Sequence, residues 1–392
     1  MKPAPLRLGY LPLVDAAPFL IAQSLGFAKR EGISLELRPA ASWSALRDML
    51  AMGVVDGAQM LVPVPVASAL GLGGMPARFE ALQILNMNGN VIGVSQRLAA
   101  RMQNDGYEFD FRDARKAGAA LLRACGKTLR IGVPFPFSTH AELVDYWLTH
   151  LGLPLPENLE IRTVPPPLMP DALDAGEIDA FCVGEPWGSA AVDRGLAHLL
   201  LPGTAIWGFA PEKALTVRQG WAEDNPDIAG RLMRMIWRSC RWLGTDRNRE
   251  LASDILSDKL PITAEVIDRA MTGRMLTSLQ GQEQATSYMI EFFRGAATFP
   301  WRSQAAWIGM RLAQRHGLDP IISAQKAAAT FRPDLYRFHL RGIGADLPGA
   351  SGKVEGALSV PTAVASDQGK TILLPDRFYD GQVFDPDATN SG

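Results

Sequence analysis

Leu6-Arg7-Leu8-Gly9 returns 123 residues later as Leu129-Arg130-Ile131-Gly132. Gly53-Val54-Val55-Asp56-Gly57 returns at the same offset of 123 as Gly176-Glu177-Ile178-Asp179-Ala180. Between them, Leu35-Glu36-Leu37-Arg38 returns as Leu159-Glu160-Ile161-Arg162 at an offset of 124. One such match means little. Three in the same order at nearly one spacing describe a chain that builds the same kind of unit twice. Two units leave a cleft between them, and clefts between domains are where small ligands bind.

The local patterns give each unit a β-α-β-α-β order. Residues 6–13 form a short apolar strand; Asp15 is placed to cap a helical run over 16–30 that Gly32 stops. Residues 33–38 alternate as a strand, Ser42 caps a helix carrying Leu46, Met49 and Leu50, and 55–62 form the next strand. The second unit repeats this with strands over 129–135, 159–164 and 178–183 and helices over 140–151 and 168–175. That order predicts parallel sheets with right-handed crossovers. Apolar runs at 82–95 and 199–209 flank the second unit and are the expected crossings between lobes. The expected division is a discontinuous lobe I from 1–88 and 206–340, lobe II over 89–205, and a tail over 341–392 that wraps the surface. Asn225-Pro226 starts a long helix, with further helices expected over 264–277, 283–294 and 303–316.

A net charge of −2 and the absence of any basic stripe argue against a direct nucleic-acid surface. Cys125, Cys182 and Cys240 are too widely spaced for a disulfide framework or a metal-ligand pair, so they read as buried thiols. No stretch is apolar enough to span a bilayer. Met1 leads straight into the first strand without a charged and apolar leader, which points to the cytoplasm; a leader lying upstream would point to the periplasm instead.

Loops at the carboxyl ends of parallel strands face such a cleft. Those positions hold Trp43, Gln59, Pro63 and residues 86–90 in the first unit, and Thr139, His140, residues 165–167, Gly184 and Glu185 in the second, with Lys213 after the return crossing. Thr139-His140-Ala141-Glu142 has capping-box spacing, so Thr139 is expected to cap the helix over 140–151 and aim its positive end at the cleft. An indole N–H, an Asn90 amide, an imidazole and an ammonium group together suit a small anion. Each also has a plainer reading: a loop Trp packs, a Lys is solvated, and a His at a helix start caps it.

The chain resembles the NrtA/CmpA group of nitrate- and bicarbonate-binding proteins. The resemblance rests on Leu11-Pro12-Leu13-Val14-Asp15-Ala16-Ala17-Pro18, Ala41-Ser42-Trp43, Asp56-Gly57-Ala58, Pro63-Val64-Pro65, Asn86-Met87-Asn88-Gly89, Ser138-Thr139-His140 and Val164-Pro165-Pro166-Pro167. Its most specific parts are Asp179-Ala180-Phe181-Cys182-Val183-Gly184-Glu185-Pro186-Trp187 and Pro211-Glu212-Lys213-Ala214, and it extends to the Arg332–Arg337 block. It implies a two-lobed periplasmic-binding-protein fold of type II with a helical C-terminal extension. It also implies an anion pocket at Trp43, Asn90, His140 and Lys213; Gly89, Thr139, Pro166, Gly184 and Glu185, placed at the cleft by their positions after the strands, are the further candidates. Asn90 stands where the family carries a Gln, one methylene longer, which leaves nitrate, nitrite and bicarbonate open as ligands. The bicarbonate branch is associated with calcium; this sequence adds no acidic cluster, so no metal or other cofactor is expected, Glu185 being the one candidate ligand.

With a cytoplasmic address, the resemblance is to the nitrate/nitrite sensor branch (the NasS type). Its implied partner is an ANTAR-type RNA-binding antiterminator, held without anion and released with it. The alternative is the receptor of an ABC nitrate or bicarbonate importer. An enzyme like the thiamine-pyrimidine synthases is the least favoured reading, because it needs a Cys-rich motif and a reactive His that this sequence does not offer.

Overall fold

The structure, a computed structural model, describes residues 3–75, 77–281, 283–345 and 347–388. In chain order it begins β1 (Ala4–Tyr10), α1 (Ala17–Ser24), β2 (Ile33–Pro39), α2 (Trp43–Ala51), β3 (Gly57–Leu61), α3 (Pro63–Ala69) and β4 (Phe79–Asn88). It crosses into β5 (Asn90–Ser95), α4 (Gln96–Asn104), α5 (Ala114–Ala124), β6 (Thr128–Val133), α6 (Thr139–Thr149), β7 (Asn158–Thr163), β8 (Ala180–Gly184) and β9 (Ala197–Pro202). It returns through β10 (Pro211–Arg218) to α7 (Pro226–Leu243), β11 (Ile290–Glu291) and α8 (Arg302–His316).

Two sheets result. One runs β11-β4-β10-β3-β1-β2 and the other β7-β6-β8-β5-β9. The three strands that begin each unit pair in parallel. The strand that arrives from the other lobe inserts antiparallel: β10 between β3 and β4, and β5 between β8 and β9. The lobes are therefore joined by two connections. At the first, Gly89 has φ +103°, which a β-carbon would strain. Asn88 beside it ties the two connections together, its amide donating to the carbonyls of Gly208 and Tyr288 while its side-chain oxygen accepts from Ala210 N–H at 2.9 Å.

The internal repeat has a structural counterpart. Arg7 forks onto Asp56 with Nη2 to Oδ1 at 2.8 Å, and its own N–H donates to Oδ2 at 2.9 Å. Arg130 does the same to Asp179 at 2.9 and 3.1 Å. Arg38 and Arg162 each reach the Glu two residues before them and a backbone carbonyl, of Val54 and Glu177 respectively. The repeated letters thus encode an Arg–Asp clamp between the first and third strands of each lobe. Burial raises the Asp179 pKa, but the hydrogen bonds and charge of Arg130, aided by Arg97, outweigh it and hold it below the ordinary carboxylate value. A depressed folded pKa stabilises above the unfolded value and is lost as pH falls through the folded one. Asp179→Asn is expected to cost about 1–3 kcal/mol at neutral pH and almost nothing near pH ~2, measured by urea denaturation at both.

Helix starts follow their caps: Ser42 accepts from Ala45 N–H, Ser95 from Leu98 N–H and Asp113 from Lys116 N–H. The run expected over 16–30 breaks into Ala17–Ser24 and Phe27–Arg30, because Gly26 turns left-handed between them. Asp15 caps neither piece; it lies in a 3₁₀ turn at Val14–Ala16. The stretch over 283–294 is not a helix but two short strands, Glu283–Ala285 and Ile290–Glu291. The helix expected over 264–277 stops at Thr272, where Gly273 takes φ +72°.

Lobe I packs Leu6, Leu8, Phe19 and Ile21 against Leu232, Met235 and Ile236 of α7. Lobe II packs Leu129, Ile131, Val144 and Trp147 under its sheet. Each such side chain contributes about 1.5–3 kcal/mol on burial. Beyond residue 341 the chain forms a hairpin, Thr362–Ser366 with Gly369–Leu373, then buries Phe378 against Trp207 and Trp307. Among the described residues no helix is long and apolar enough to cross a membrane.

Candidate functional site

The site lies where the two lobes meet. From lobe I come Asp15, in the turn after β1; Trp43, the first residue of α2; Gln59, on β3; and Glu212 and Lys213, on β10. From lobe II come Asn90, the first residue of β5, and His140, in the first turn of α6. All seven are buried, none more than 3% exposed.

Lys213 is the centre. Its Nζ lies 2.6 Å from Asp15 Oδ2 and 2.6 Å from Glu212 Oε1, and 5.3 Å from the centroid of the Trp43 ring. The outer oxygens of both carboxylates are also occupied. Gln59 Nε2 donates to Asp15 Oδ1 at 2.5 Å, and Asn90 Nδ2 donates to Glu212 Oε2 at 2.6 Å. Gln59 is itself held by Leu11 N–H at 3.0 Å. His140 Nδ1 stands 3.3 Å from Glu212 Oε1 without hydrogen-bond alignment, so neither ring nitrogen has a partner. Trp43 Nε1 and Asn90 Oδ1 are likewise buried and unpartnered. Buried polar atoms are normally paired, so four unpaired ones around a single ammonium group call for an explanation.

Burial pulls the Lys213 pKa down, but Asp15 and Glu212 outweigh it and keep the ammonium charged. Burial, and then the charge of Lys213, holds His140 well below its ordinary range, so the ring is a neutral imidazole with one N–H. Burial raises Asp15 more than Lys213 and Gln59 lower it.

Thr139 does not cap α6. Ser138 does, its Oγ accepting from Ala141 N–H at 3.1 Å, and the helix spans Thr139–Thr149. Thr139 instead donates across the lobe boundary to the Pro211 carbonyl at 3.0 Å, which seats the start of α6 against β10. Serine one residue earlier wins because its extended backbone and short side chain reach the N–H three residues on. Gly184 and Glu185 also sit at the boundary. The Glu185 carbonyl accepts from Val14 N–H at 3.3 Å and its N–H donates to the Gly89 carbonyl at 2.9 Å. The Glu185 carboxyl, pushed up to about 7 by burial, accepts from Ser189 N–H. Pro166 is buried in a 3₁₀ turn after β7 and is not one of the groups bonded to Lys213. Among the described residues no three His, Cys, Asp or Glu side chains are grouped to hold a metal.

The structure therefore brings Trp43, Asn90, His140 and Lys213 into one cluster. It adds two carboxylates that sequence reasoning did not assign to the site. Glu212 stood in the Pro211-Glu212-Lys213-Ala214 motif and Asp15 was read as a helix cap. The missed signal was that a lysine on a fully buried strand needs acidic partners.

A family description, the NMT1-like family, matches residues 1–257. The chain belongs to the NMT1-like family. This member is homologous to the NrtA/CmpA proteins. It is 31% identical over 309 residues to the nitrate/nitrite binding protein NrtA of Nostoc sp. (strain PCC 7120), covering 77% of this chain and 68% of that protein. It is 30% identical over 346 residues to the nitrate import ATP-binding protein NrtC of Synechocystis sp. (strain PCC 6803), covering 86% of this chain but 50% of that protein, so it spans about half the length of that relative. The crystal structure of the periplasmic nitrate-binding protein NrtA from Synechocystis PCC 6803 shares its fold with a TM-score of 0.82 at 24% identity, over 100% of this chain and 97% of that one. The fold of this NMT1-like chain is thus the two-domain α/β fold of periplasmic binding proteins.

Proposed function

We propose that the chain binds nitrate or nitrite in the interlobe site. The observation that carries this reading is the set of buried donors around Lys213: the Trp43 indole N–H, the neutral His140 ring and the ammonium itself, drawn from both lobes. A planar oxyanion contacts both lobes only when they are closed, so it stabilises the closed arrangement by its differential affinity. Charge-assisted hydrogen bonds of about 1.5–3 kcal/mol each are enough to move a two-state equilibrium most of the way across. Calorimetric titration of one sample with nitrate, nitrite and bicarbonate tests the reading; micromolar binding of none of them sinks it.

Gly184 offers a finer check. A β-carbon built there would lie 3.7 Å from Asn90 Oδ1, 3.7 Å from His140 Nε2 and 3.8 Å from Asp15 Oδ2. These are ordinary contact distances, so Gly184→Ala is expected to fold with a stability change within about 1 kcal/mol. The added methyl takes space that three polar atoms share, and anion affinity is expected to fall at least about tenfold. Unchanged affinity would move the anion elsewhere.

In the cell we read this closure as a sensor's. The open form holds an ANTAR-type RNA-binding antiterminator in the cytoplasm, and anion-driven closure expels it. Supporting this, the site buries residues of both lobes, so occupancy is reported by shape over the whole molecule. Pull-down from nitrate-free and nitrate-fed cells tests it: an RNA-binding regulator present in the first and absent in the second is expected. Recovery of importer subunits instead supports the receptor reading, which the similarity to nitrate import proteins favours.

A further inference from the structure

We propose that the anion enters this site together with one proton, and that Asp15 holds that proton in the closed state. The proposal rests on the anion-binding reading above and specifies how the site tolerates the ligand's charge.

The geometry poses the problem. Lys213 is pinned between two carboxylates at 2.6 Å each, and all three groups are buried. One positive and two negative charges leave the cluster with one net negative charge. Nitrate would add a second, in a place shielded from water, and like charges at contact distance repel strongly there. The ligand also carries no hydrogen. Its oxygens only accept, as do the oxygens of Asp15 and Glu212, so nitrate cannot form a hydrogen bond with either carboxylate. A proton on one carboxyl removes both difficulties: it restores the charge and turns an acceptor into an O–H donor.

The groups that face Lys213 from each element are few. Asp15 comes from the turn after β1 and Glu212 from β10 itself; His140 comes from α6 and Cys182 from β8, while Glu185, in the turn after β8, lies beside Ser189, Arg269 and Asp193. Gln59, Asn90 and Trp43 complete the wall and do not titrate in the neutral range. His140 is a poor proton acceptor beside a buried ammonium group, and burial, then the charge of Glu212, pushes the Cys182 thiol well up, so both keep one protonation state. Each carboxylate on Lys213 has one amide donor besides the ammonium, Asn90 for Glu212 and Gln59 for Asp15, but only Glu212 also has the His140 ring beside it, with Nδ1 3.3 Å from Oε1 though not aligned for a hydrogen bond. Asp15 has Lys213 and one amide, Gln59, and its pKa is already raised by burial. The proton therefore goes to Asp15, taken from solvent while the lobes are apart. Glu185 is the competing home, with one carboxyl oxygen unpartnered.

Because the bound form carries one more proton than the free form, affinity falls as pH rises. Calorimetry of the full chain with sodium nitrate, in buffers of different protonation enthalpy at pH ~7.5, is expected to show uptake of about one proton per nitrate. The Kd is expected to weaken close to tenfold per pH unit between about 6.5 and 8.5. Asp15→Asn is expected to abolish the uptake and flatten the pH profile, Glu212→Gln to do the same by removing a charge from the same cluster, and Glu185→Gln to change neither. Nitrate heats that do not depend on the buffer, with a flat Kd, overturn the proposal and leave anion binding intact. Uptake that survives Asp15→Asn but not Glu185→Gln overturns the assignment to Asp15. No binding of nitrate or nitrite at any pH overturns the anion reading and this proposal with it. The parent's buffer series decides the first question without any variant.

Discussion

Lys213→Met is expected to do two separable things: weaken anion binding and destabilise the fold. The binding loss follows from removing the one full positive charge in the site, whose charge-assisted bond is worth about 1.5–3 kcal/mol, or about ten- to a hundredfold in Kd. The stability loss follows from what remains. Asp15 and Glu212 would be left buried with only Gln59, Asn90 and the nearby His140 around them. Breaking a buried ion pair from one side costs about 3–5 kcal/mol. In the variant Asp15, whose pKa burial already raises, loses the ammonium that lowers it, so the sign of the pH effect is fixed: the defect is largest at neutral and higher pH and shrinks as that carboxyl protonates at lower pH. Urea denaturation at pH ~5 and ~8 reads this directly. Adding Glu212→Gln to Lys213→Met is expected to recover stability without recovering binding. Recovery of both would mean that Lys213 acts on the fold alone and the anion is held by other groups.

The parts of this site that were legible in the sequence are those whose signal is local. Trp43 follows a serine with N-cap spacing, His140 follows Thr139 at a helix start that the spacing places correctly although Ser138 rather than Thr139 caps it, and Asn90 sits just after the glycine of a crossing; each position is read from its immediate neighbours. The repeat made the three parallel strands of each sheet legible for the same reason, though not the antiparallel strands beside them, since the Arg–Asp clamps at 7/56 and 130/179 join short matching segments. What stayed hidden was long-range. Asp15 and Lys213 are nearly 200 residues apart, and only the antiparallel insertion of β10 beside β3 brings them to 2.6 Å. Glu212 was hidden by the habit of strands: next to a lysine in an alternating strand it reads as the opposite, solvated face, whereas β10 is covered on both sides and neither residue is exposed. The stretch over 283–294 has apolar residues at helical spacing, but Tyr288 adopts positive φ and pairing of Ile290 with Asn88 takes the segment into the sheet. Tertiary pairing overrides the local period there.

The tail gives the other large effect. Its glycines and prolines suggest a surface wrapping, yet Phe378 is 3% exposed, with its ring 4.9 Å from Trp207, 5.4 Å from Trp307 and 5.3 Å from Tyr146. Those three rings belong to different parts of the molecule: the return connection, α8 and α6. The segment is fixed on either side. Gly208 N–H donates to the Arg377 carbonyl at 2.9 Å, the Tyr379 hydroxyl donates to the Trp147 carbonyl at 2.9 Å, and Tyr146 donates to Asp380. Upstream, Lys353 pairs with buried Glu355 and Asp376. Phe378→Ala is therefore expected to cost about 3–5 kcal/mol, the range for emptying a packed aromatic site that its neighbours cannot refill. Phe338→Ala, at a ring that is 72% exposed, is expected to shift stability by no more than about 0.5 kcal/mol and calibrates the comparison. Because Phe378 joins the connecting segment to α6, whose first turn carries His140, its loss also loosens the element that supplies one wall of the site. Nitrate affinity is then expected to fall along with stability. A Phe378→Ala protein as stable as the parent would show that the tail lies on the molecule without holding it; one that is destabilised but binds nitrate normally would show that the lobes keep their geometry without it.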